Sequence, residues 1–262
     1  MTTDGIPETA HALADAARRA ILPYFRSDGL TAETKEQSRF DPVTEADRAA
    51  ERAMRAILTD QRPHDGILGE EYGHTAGTSG LTWVLDPIDG TRGFLSGTPT
   101  WGVLVAVSDE TGPIYGLIDQ PYIGERFEGG LGRRQMSGPL GMRDLHARGN
   151  RPLEHAILFT TFPEVGTPVE ARAFEAVSNK VKLTRYGMDC YAYALLAAGQ
   201  IDLVIEAGLQ AYDIQAPIAV IEAAGGIVTN WSGGPAYQGG RVLAAAGQEQ
   251  HQAALEILKD FV

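Results

Sequence analysis

Apolar residues recur at helical spacing near the start of the chain and in short, strand-like runs through its middle. Between residues 6 and 26, a spacing of three to four residues predicts an amphipathic helix. The residues that form its apolar face are Ile6, Ala10, Leu13, Ala17, Ala20 and Tyr24. Apolar runs bounded by turn residues predict strands from 67 to about 135, where 100–108 and 114–118 form a hairpin. The polar stretch 27–42 predicts a surface loop.

Strand and helix signals alternate from about residue 156 onward, which predicts α/β packing in the second half. The predicted strands are 156–161, 181–185, 201–206, 227–230 and 242–246, and the predicted helices are 169–179, 189–198, 212–224 and 248–260. We expect Pro217 near the first turn of its helix, where the missing N–H is tolerated. A further helix is predicted at roughly 44–60, because Thr44 is a suitable N-cap and acidic residues follow it.

The composition fits a protein with a sizeable core and argues against several classes of partner. The chain has 262 residues, 44% hydrophobic and 21% charged, enough for one large unit or two packed subdomains. It has no apolar run near the ~20 residues of a membrane span and no signal-peptide core. A net charge of −12 without a basic block predicts no nucleic-acid partner. The lone Cys190 allows no intramolecular disulfide and is expected in the core, so we expect a cytoplasmic protein.

The stretch WVLDPIDGT, in the middle of the strand-rich region, carries the clearest chemical signal. A strand-like run ends at Asp86, and the proline after it fixes a turn that brings Asp89 near. Two carboxylates on one rigid turn repel each other unless a cation or a proton compensates them. Hard divalent cations prefer such oxygen ligands, including a backbone carbonyl like that of Ile88. The N–H groups of Gly90 and Thr91 can face a phosphate oxygen, so the stretch indicates a Mg²⁺–phosphate site.

Each candidate in this site also has an ordinary structural interpretation. The central stretch can equally be an Asx-Pro turn closed by glycine. Asp47, at the third position of its predicted helix, suits a capping box. Glu70 and Glu71 can both be solvated, and only one of them can point into a shared site. Asp213 begins a predicted helix and suits an N-cap.

Several phosphate-handling designs are excluded by the sequence. It contains no P-loop, no Gly-x-Ser-x-Gly elbow and no histidine cluster suited to zinc. Cys190 has no arginine six residues on, and the central aspartates are three apart rather than two. The hard oxygen ligands that remain are Glu70, Asp86, Asp89 and Asp213. Together they could hold two or three Mg²⁺ ions around a phosphate ester, with Asp47 and Thr91 activating water.

The order of these motifs resembles the inositol monophosphatase family from about residue 10 to 260. The matching segments are 41–47, 69–71, 83–91, 212–216 and 222–226. The resemblance implies an α/β fold with an α+β first half, layered as an αβαβα sandwich. It implies an N-terminal subdomain, 1–145, with an antiparallel sheet and most metal ligands, and a C-terminal α/β subdomain, 146–262. It also implies a Mg²⁺-dependent phosphomonoesterase, a small phosphate ester as substrate, and a homodimer.

The resemblance assigns a role to each candidate residue. The implied metal ligands are Glu70, Asp86, the Ile88 carbonyl, Asp89 and Asp213. The implied catalytic residues are Asp47, Thr91 and Glu70. Gly90 and Thr91 are implied to meet the phosphate. Apart from the resemblance, we expect Lys35, in the 27–42 loop, to approach the phosphate or a third metal.

Further segments resemble the histidinol-phosphate phosphatase branch of that family, namely 98–102, 118–121 and 185–193. The implied substrate contacts are Gly90, Thr91, Arg185, Asp189, Glu206 and Asp213. Asp189 equally suits a helix cap. Hydrolysis of L-histidinol phosphate is therefore the leading hypothesis. The alternatives are hydrolysis of inositol monophosphate or of another small phosphate, such as a sugar or adenosine bisphosphate, and a non-enzymatic regulatory relative, which intact Asp47 and Thr91 disfavour.

Overall fold

The computed structural model describes the backbone of residues 2–27, 32–36 and 39–261, and the side chains of residues 2–27 and 45–261. The helices are α1 (Ile6–Ile21), α2 (Glu45–Gln61), α3 (Thr91–Ser96), α4 (Pro168–Ser178), α5 (Cys190–Ala197), α6 (Ala211–Ala223) and α7 (Gln248–Leu258). The first strands are β1 (Ala32–Glu36), β2 (Arg39–Thr44), β3 (Gly66–Gly69), β4 (Gly73–Thr75), β5 (Thr82–Asp89), β6 (Gly102–Asp109), β7 (Gly112–Gln120), β8 (Glu125–Gly130), β9 (Arg133–Gly138) and β10 (Gly141–Asp144). The later strands are β11 (Ile157–Thr160), β12 (Leu183–Tyr186), β13 (Leu203–Leu209), β14 (Ile227–Thr229) and β15 (Gly240–Ala245).

Two large sheets organise the fold. The first has eight strands in the order β10-β9-β8-β7-β6-β5-β3-β4, and all its neighbours are antiparallel except β3 and β5. The second has five strands in the order β12-β11-β13-β15-β14, with β11 parallel to both of its neighbours. The eight-stranded sheet is built from residues before 145 and the five-stranded sheet from residues after 156. The strand-rich first half and the α/β second half therefore follow the expected pattern.

Three hydrophobic clusters stack the elements into five layers. Helices α1 and α2 cover one face of the eight-stranded sheet, and α5 and α6 lie between the two sheets. Helices α4 and α7 cover the outer face of the five-stranded sheet. This arrangement confirms the layered αβαβα fold. The middle cluster draws residues from both halves of the chain, and the division between residues 145 and 146 stays a prediction.

Strand β5 shows how the sequence pattern places the larger sheet. Trp83 and Leu85 are fully buried on the face that packs against α1 and α2. Val84, between them, is buried on the opposite face, against the layer of α5 and α6. Successive side chains of a strand point to opposite faces. A strand buried on both faces therefore has a continuous apolar run rather than an alternating one.

The structure differs from the sequence predictions at a few elements. The predicted loop 27–42 is wrong in part, because β1 and β2 pair there as an antiparallel two-stranded sheet. These strands are mostly polar, so they lack the apolar alternation that identifies a strand. The first helix ends at Ile21, earlier than predicted, and β10 lies beyond the strand-rich stretch predicted to end near residue 135. No helix in the described part of the chain has the length and apolar character needed to cross a bilayer.

Glu128, on β8, is an ionised side chain on which the fold depends. It is only 3% exposed. Burial raises its pKa, but hydrogen bonds from His11, Tyr115 and Gln135 outweigh that effect and lower the pKa to about 2. Tyr115 donates to it at 2.6 Å and the His11 ring nitrogen Nε2 lies at 3.3 Å. The group therefore links α1 to the eight-stranded sheet.

Because the folded-state pKa of Glu128 lies below the ordinary value of 4.5, its ionised form stabilises the fold above that pH. The contribution is lost as the pH falls from 4.5 toward 2. We expect Glu128→Gln to lower the free energy of unfolding by about 2 kcal/mol near pH 6 and by less than half of that near pH 3. Urea titrations across this range measure the difference. Glu8→Gln, at an exposed carboxylate, is the control, and a loss that stays constant with pH would contradict the prediction.

Candidate active site

The two central aspartates lie at the end of β5, where its pairing with β6 becomes irregular. Asp86 pairs with Leu104 and Asp89 with Gly102, so β5 has one more residue than β6 between the paired positions. An extra residue of this kind bends a strand and redirects its side chains. Asp86 is 1% exposed, and the Cys190 N–H donates a 2.6 Å hydrogen bond to Oδ2 of Asp89. The predicted turn is therefore the C-terminal end of an interior strand, which carries both carboxylates.

Four different elements bring acidic side chains to this strand end. One carboxylate oxygen from each of Asp47, Glu70 and Asp86 lies within 4.8 Å of the other two. The same limit holds for Asp86, Asp89 and Asp213. Asp86 belongs to both groups, so the two groups adjoin. The five carboxylates, which come from four separate segments of the chain, form a single acidic cluster.

This cluster is electrostatically unfavourable without a cation. Burial and then the charges of Glu70, Asp89, Asp213 and Asp47 raise the pKa of Asp86 well above its ordinary value. Among the described residues, no group hydrogen-bonds the buried Oδ1 of Asp86. A buried carboxylate oxygen without a hydrogen bond is costly unless a metal or proton compensates it. All the donors are hard oxygens, so the cluster fits Mg²⁺ or a similar divalent cation.

Glu70 follows β3 and is held in place by Glu51 from α2. Oε2 of Glu51 accepts a 2.7 Å hydrogen bond from the backbone N–H of Glu71. A side chain on Gly69 would bring Cβ within 2.0 Å of Oε1 of Glu51, so a larger residue would displace the Glu51 carboxylate. The side chain of Glu71 pairs with Arg48 at 3.6 Å instead. As expected, only one of the two adjacent acids enters the cluster.

Asp213 reaches the cluster from the first turn of α6. It is the third residue of the helix, and its Oδ2 accepts a 2.6 Å hydrogen bond from the backbone N–H of Gln210. The N-cap is therefore Gln210, and the N-cap alternative for Asp213 is wrong. Pro217 lies inside the helix, so the expectation that it lies near the first turn is also wrong. Burial of α6 between the two sheets outweighs the missing hydrogen bond.

Gly90 and Thr91 connect β5 to α3. Gly90 has φ 88°, and a side chain on it would bring Cβ within 2.6 Å of the Asp189 carboxyl carbon. Both features require glycine. Thr91 is the first residue of α3, and the far end of that helix is fixed because Arg26 donates two hydrogen bonds to the Gly97 carbonyl, at 3.0 and 2.8 Å. The short helix is therefore anchored at its C-terminal end by Arg26.

Two further carboxylates extend the acidic region on the side of the five-stranded sheet. Asp189 lies before α5, but its side chain does not cap that helix; Oδ2 accepts a 3.1 Å hydrogen bond from Thr100. Asp189 therefore occupies the N-cap position, as the helix-cap alternative has it, but its side chain does not cap the helix. Its backbone has a positive φ of 47°, which is strained for this residue. Oε1 of Glu206 accepts hydrogen bonds from the Thr161 N–H, at 2.6 Å, and the Thr161 hydroxyl, at 2.9 Å.

The ionisation of these two carboxylates reflects their burial. Burial raises the pKa of Asp189, against the opposing effects of the Thr100 hydrogen bond and the Arg92 charge. Burial, with a smaller contribution from the charge of Asp189, raises the pKa of Glu206 to about 7 against the opposing effect of the Thr161 hydrogen bonds. Both groups would be stabilised in their ionised form by a nearby cation.

The remaining predicted site residues are Ile88, Thr91, Arg185 and Lys35. Ile88 is buried between the two aspartates of β5, and its carbonyl as a metal ligand stays a prediction. The joint action of Thr91 with Asp47 also stays a prediction. Arg185 is exposed on β12, and no hydrogen bond or ion pair in the described part of the chain joins it to the cluster. The side chain of Lys35 lies outside the described residues.

The sequence interpretation did not identify several residues that support the site. Glu51, Thr100 and Thr161 each hold an acidic residue or the segment that carries it. Of the three, only Glu51 could have been identified from the sequence. It lies among the core-facing positions of α2, where an unpaired charge would be costly, so a buried partner could be expected. The two threonines have no such signal, because their partners are distant in sequence.

Comparisons with known proteins agree with this geometry. The sequence model described as "Inositol monophosphatase family" matches residues 4–261. The chain is 41% identical to the bifunctional phosphatase IMPL2 of Arabidopsis thaliana, over 98% of this chain and 75% of that one. It is 34% identical to a histidinol-phosphatase of Streptomyces coelicolor, over 91% of each. The structure of an inositol monophosphatase from Zymomonas mobilis superposes with a TM-score of 0.86 at 38% identity, over 98% of this chain and 100% of that one.

The match of sequence and fold extends over nearly the whole chain, and these relatives are phosphatases. The chain is accordingly a phosphoric monoester hydrolase, and it belongs to the inositol monophosphatase family.

Proposed function

We propose that this phosphatase hydrolyses L-histidinol phosphate to L-histidinol and phosphate. The observation that carries the proposal is a pair of carboxylates, the half-buried Asp189 and the buried Glu206, which lie outside both metal-binding groups. Histidinol carries an ammonium group and an imidazole, so two carboxylates beside the phosphate site would compensate its charge. The similarity to the histidinol-phosphatase of Streptomyces coelicolor supports the same substrate.

The family is metal-dependent, typically with Mg²⁺, and the acidic cluster fits that requirement. Because Asp86 belongs to both groups of ligand atoms, we propose that the cluster would hold two Mg²⁺ ions. Glu70 and Asp86 would hold one of them, beside Asp47, and Asp86, Asp89 and Asp213 would hold the other. When bound, the ions neutralise the phosphate ester and stabilise the attacking and leaving oxygens. A third ion, near Lys35, remains an expectation.

The protein's own groups would orient the reactants. The Gly90 and Thr91 N–H groups would bind the phosphate oxygens, which is possible because Gly90 has no side chain to obstruct the approach. Asp47 is 1% exposed and lies in the cluster, where its carboxylate would accept a proton from the attacking water, aided by the Thr91 hydroxyl. Asp189 and Glu206 would hold the leaving group on the opposite side.

The substrate test compares phosphate release in Mg²⁺ from L-histidinol phosphate, inositol 1-phosphate and adenosine 3′,5′-bisphosphate. We expect kcat/KM to be highest for histidinol phosphate by at least ~10-fold, roughly 1.4 kcal/mol. A preference for inositol 1-phosphate would favour the second candidate, because the same carboxylates can accept hydrogen bonds from sugar hydroxyls. Absence of phosphate release from all three esters would reject the proposed substrate class.

The proposed role of Asp189 and Glu206 in binding the leaving group can be tested by neutralising each of them. We expect Asp189→Asn and Glu206→Gln each to lower kcat/KM for histidinol phosphate by ~10–100-fold, because each removes a charge opposite a cationic leaving group. Inositol 1-phosphate, with an uncharged leaving group, should lose much less. Glu164→Gln, at an exposed carboxylate near Thr161, is the matched control. Equal losses for both substrates would show that the carboxylates do not select the leaving group.

We also propose that the protein forms a homodimer. Leu183 and Tyr186 expose apolar surface on β12, the outer strand of the five-stranded sheet, at 46% and 42% exposure. An unpaired strand edge with apolar side chains favours association. Light scattering coupled to size exclusion measures the mass, and a particle of about 28 kDa would reject the proposal.

A further inference from the structure

Arg92 and Phe162 form a contact between the two halves of the chain. Arg92 is the second residue of α3, directly after Thr91, and Phe162 follows the end of β11. The guanidinium carbon of Arg92 lies 4.6 Å from the centroid of the Phe162 ring. A cation is attracted to an aromatic face at this distance, so the contact orients the ring. The ring nevertheless remains 39% exposed.

Two residues next to the Phe162 ring interact with the carboxylates assigned above to the leaving group. Thr161, the residue before Phe162, donates both of its hydrogen bonds to Glu206. Arg92 lies close enough to Asp189 for its charge to oppose the effect of burial on the pKa of that carboxyl. Thr161, which precedes Phe162 in sequence, therefore contacts Glu206, and Arg92, which packs on the Phe162 ring, lies near Asp189.

The backbone on either side restricts the position of Phe162. Thr161 is fixed by Glu206 through its backbone N–H as well as its hydroxyl. Pro163 follows, and a residue before proline is confined to extended conformations. A phenylalanine side chain has only two rotatable bonds, and the Arg92 contact limits these further. Little conformational freedom remains to be lost when a ligand packs on the exposed part of the ring.

We propose that Phe162 is a specificity-determining residue whose exposed ring forms an apolar wall of the leaving-group site, with Arg92 holding it in place. Phosphate esters whose alcohol carries a flat ring would pack against this wall, as aromatic groups do in offset or edge-on contacts. The imidazole of histidinol is a flat ring of this kind, so for L-histidinol phosphate the inference rests on the proposed function. The wall itself selects the ring, whereas Asp189 and Glu206 select the charge.

The test measures kcat and KM for three esters with Phe162→Ala. L-histidinol phosphate has a ring and a charge, 2-phenylethyl phosphate has a ring only, and glycerol 2-phosphate has neither. We expect kcat/KM to fall about tenfold for the two ring esters, mainly through KM, and to stay unchanged for glycerol 2-phosphate. Phe162→Tyr keeps the ring and should keep the preference. Val169→Ala, at another exposed apolar side chain, is the matched control.

Either an equal loss for all three esters or no loss for the ring esters would overturn the inference. The test of the Phe162 wall can fail without the substrate assignment failing, and the substrate assignment can fail without the wall failing. If the unaltered protein does not prefer histidinol phosphate, but Phe162→Ala selectively impairs 2-phenylethyl phosphate, the wall stands and the substrate assignment fails. If histidinol phosphate is preferred and Phe162→Ala leaves the preference intact, the substrate assignment stands and the wall fails.

Discussion

Asp86→Asn is expected to abolish most phosphatase activity while making the metal-free protein more stable. Asp86 contributes to both groups of ligand atoms, so the substitution weakens both proposed cation positions at once. Loss of that electrostatic stabilisation should lower kcat by ~10³-fold, about 4 kcal/mol. In the absence of metal, the same carboxylate is buried among like charges that raise its pKa. Replacing it with a neutral amide should therefore raise the free energy of unfolding by about 1–2 kcal/mol.

Two measurements on the same preparations test both parts of this prediction. Phosphate release gives kcat, and thermal unfolding with and without Mg²⁺ gives the stability. Mg²⁺ at ~100 times its dissociation constant should stabilise the unaltered protein by about 2.7 kcal/mol, and Asp86→Asn by much less. Asp60→Asn, at an exposed position of α2, is the control. An Asp86→Asn protein that keeps its activity, or that gains as much stability from Mg²⁺ as before, would refute the assignment of the cluster.

Glu51→Ala should be among the most destabilising single substitutions in the protein. Glu51 is fully buried and accepts a hydrogen bond from Arg55 at 2.7 Å and others from the N–H groups of Glu71 and Tyr72. Its removal leaves Arg55, which is only 17% exposed, without that carboxylate, and leaves two backbone donors unsatisfied. Breaking a buried pair from one side costs about 3–5 kcal/mol. Because the same backbone carries Glu70, phosphatase activity should fall even in the folded fraction.

The fold offers a matched control for this prediction on the same helix. Glu45 pairs with Arg52 at 2.9 Å, but both side chains are more than half exposed. Glu45→Ala should change the free energy of unfolding by less than about 0.5 kcal/mol, because water already screens that pair. Urea titration of the two variants measures both values. Similar losses for Glu51→Ala and Glu45→Ala would show that burial of the Glu51 network has little importance.

Much of the fold could be predicted from the sequence because its elements carry strong local signals. The buried strand β5 has a continuous apolar run, α1 has a regular apolar face, and the strand–helix alternation after residue 156 indicates α/β packing. Where the local signal was weak the predictions failed. The polar strands β1 and β2 lack apolar alternation, and the interior Pro217 contradicts the usual rule for helices because tertiary burial outweighs it.

The sequence by itself determined which chemistry is possible. It supplied acidic residues next to strand and helix ends, a proline that stiffens the central turn and a glycine where backbone must approach closely. Its local signals could not show that Asp47, Glu70, Asp86, Asp89 and Asp213 converge. Nor could they show that Glu51 holds the Glu70 segment, or that Asp189 bonds Thr100 rather than capping α5.

Only the tertiary structure decided these points, because local propensities act over a few residues whereas the site joins residues as far apart as 47 and 213. The packing of α2 and α6 on opposite faces of the eight-stranded sheet brings both helix starts to the end of β5. Burial then makes the clustered carboxylates depend on a cation, which no single stretch of sequence could reveal.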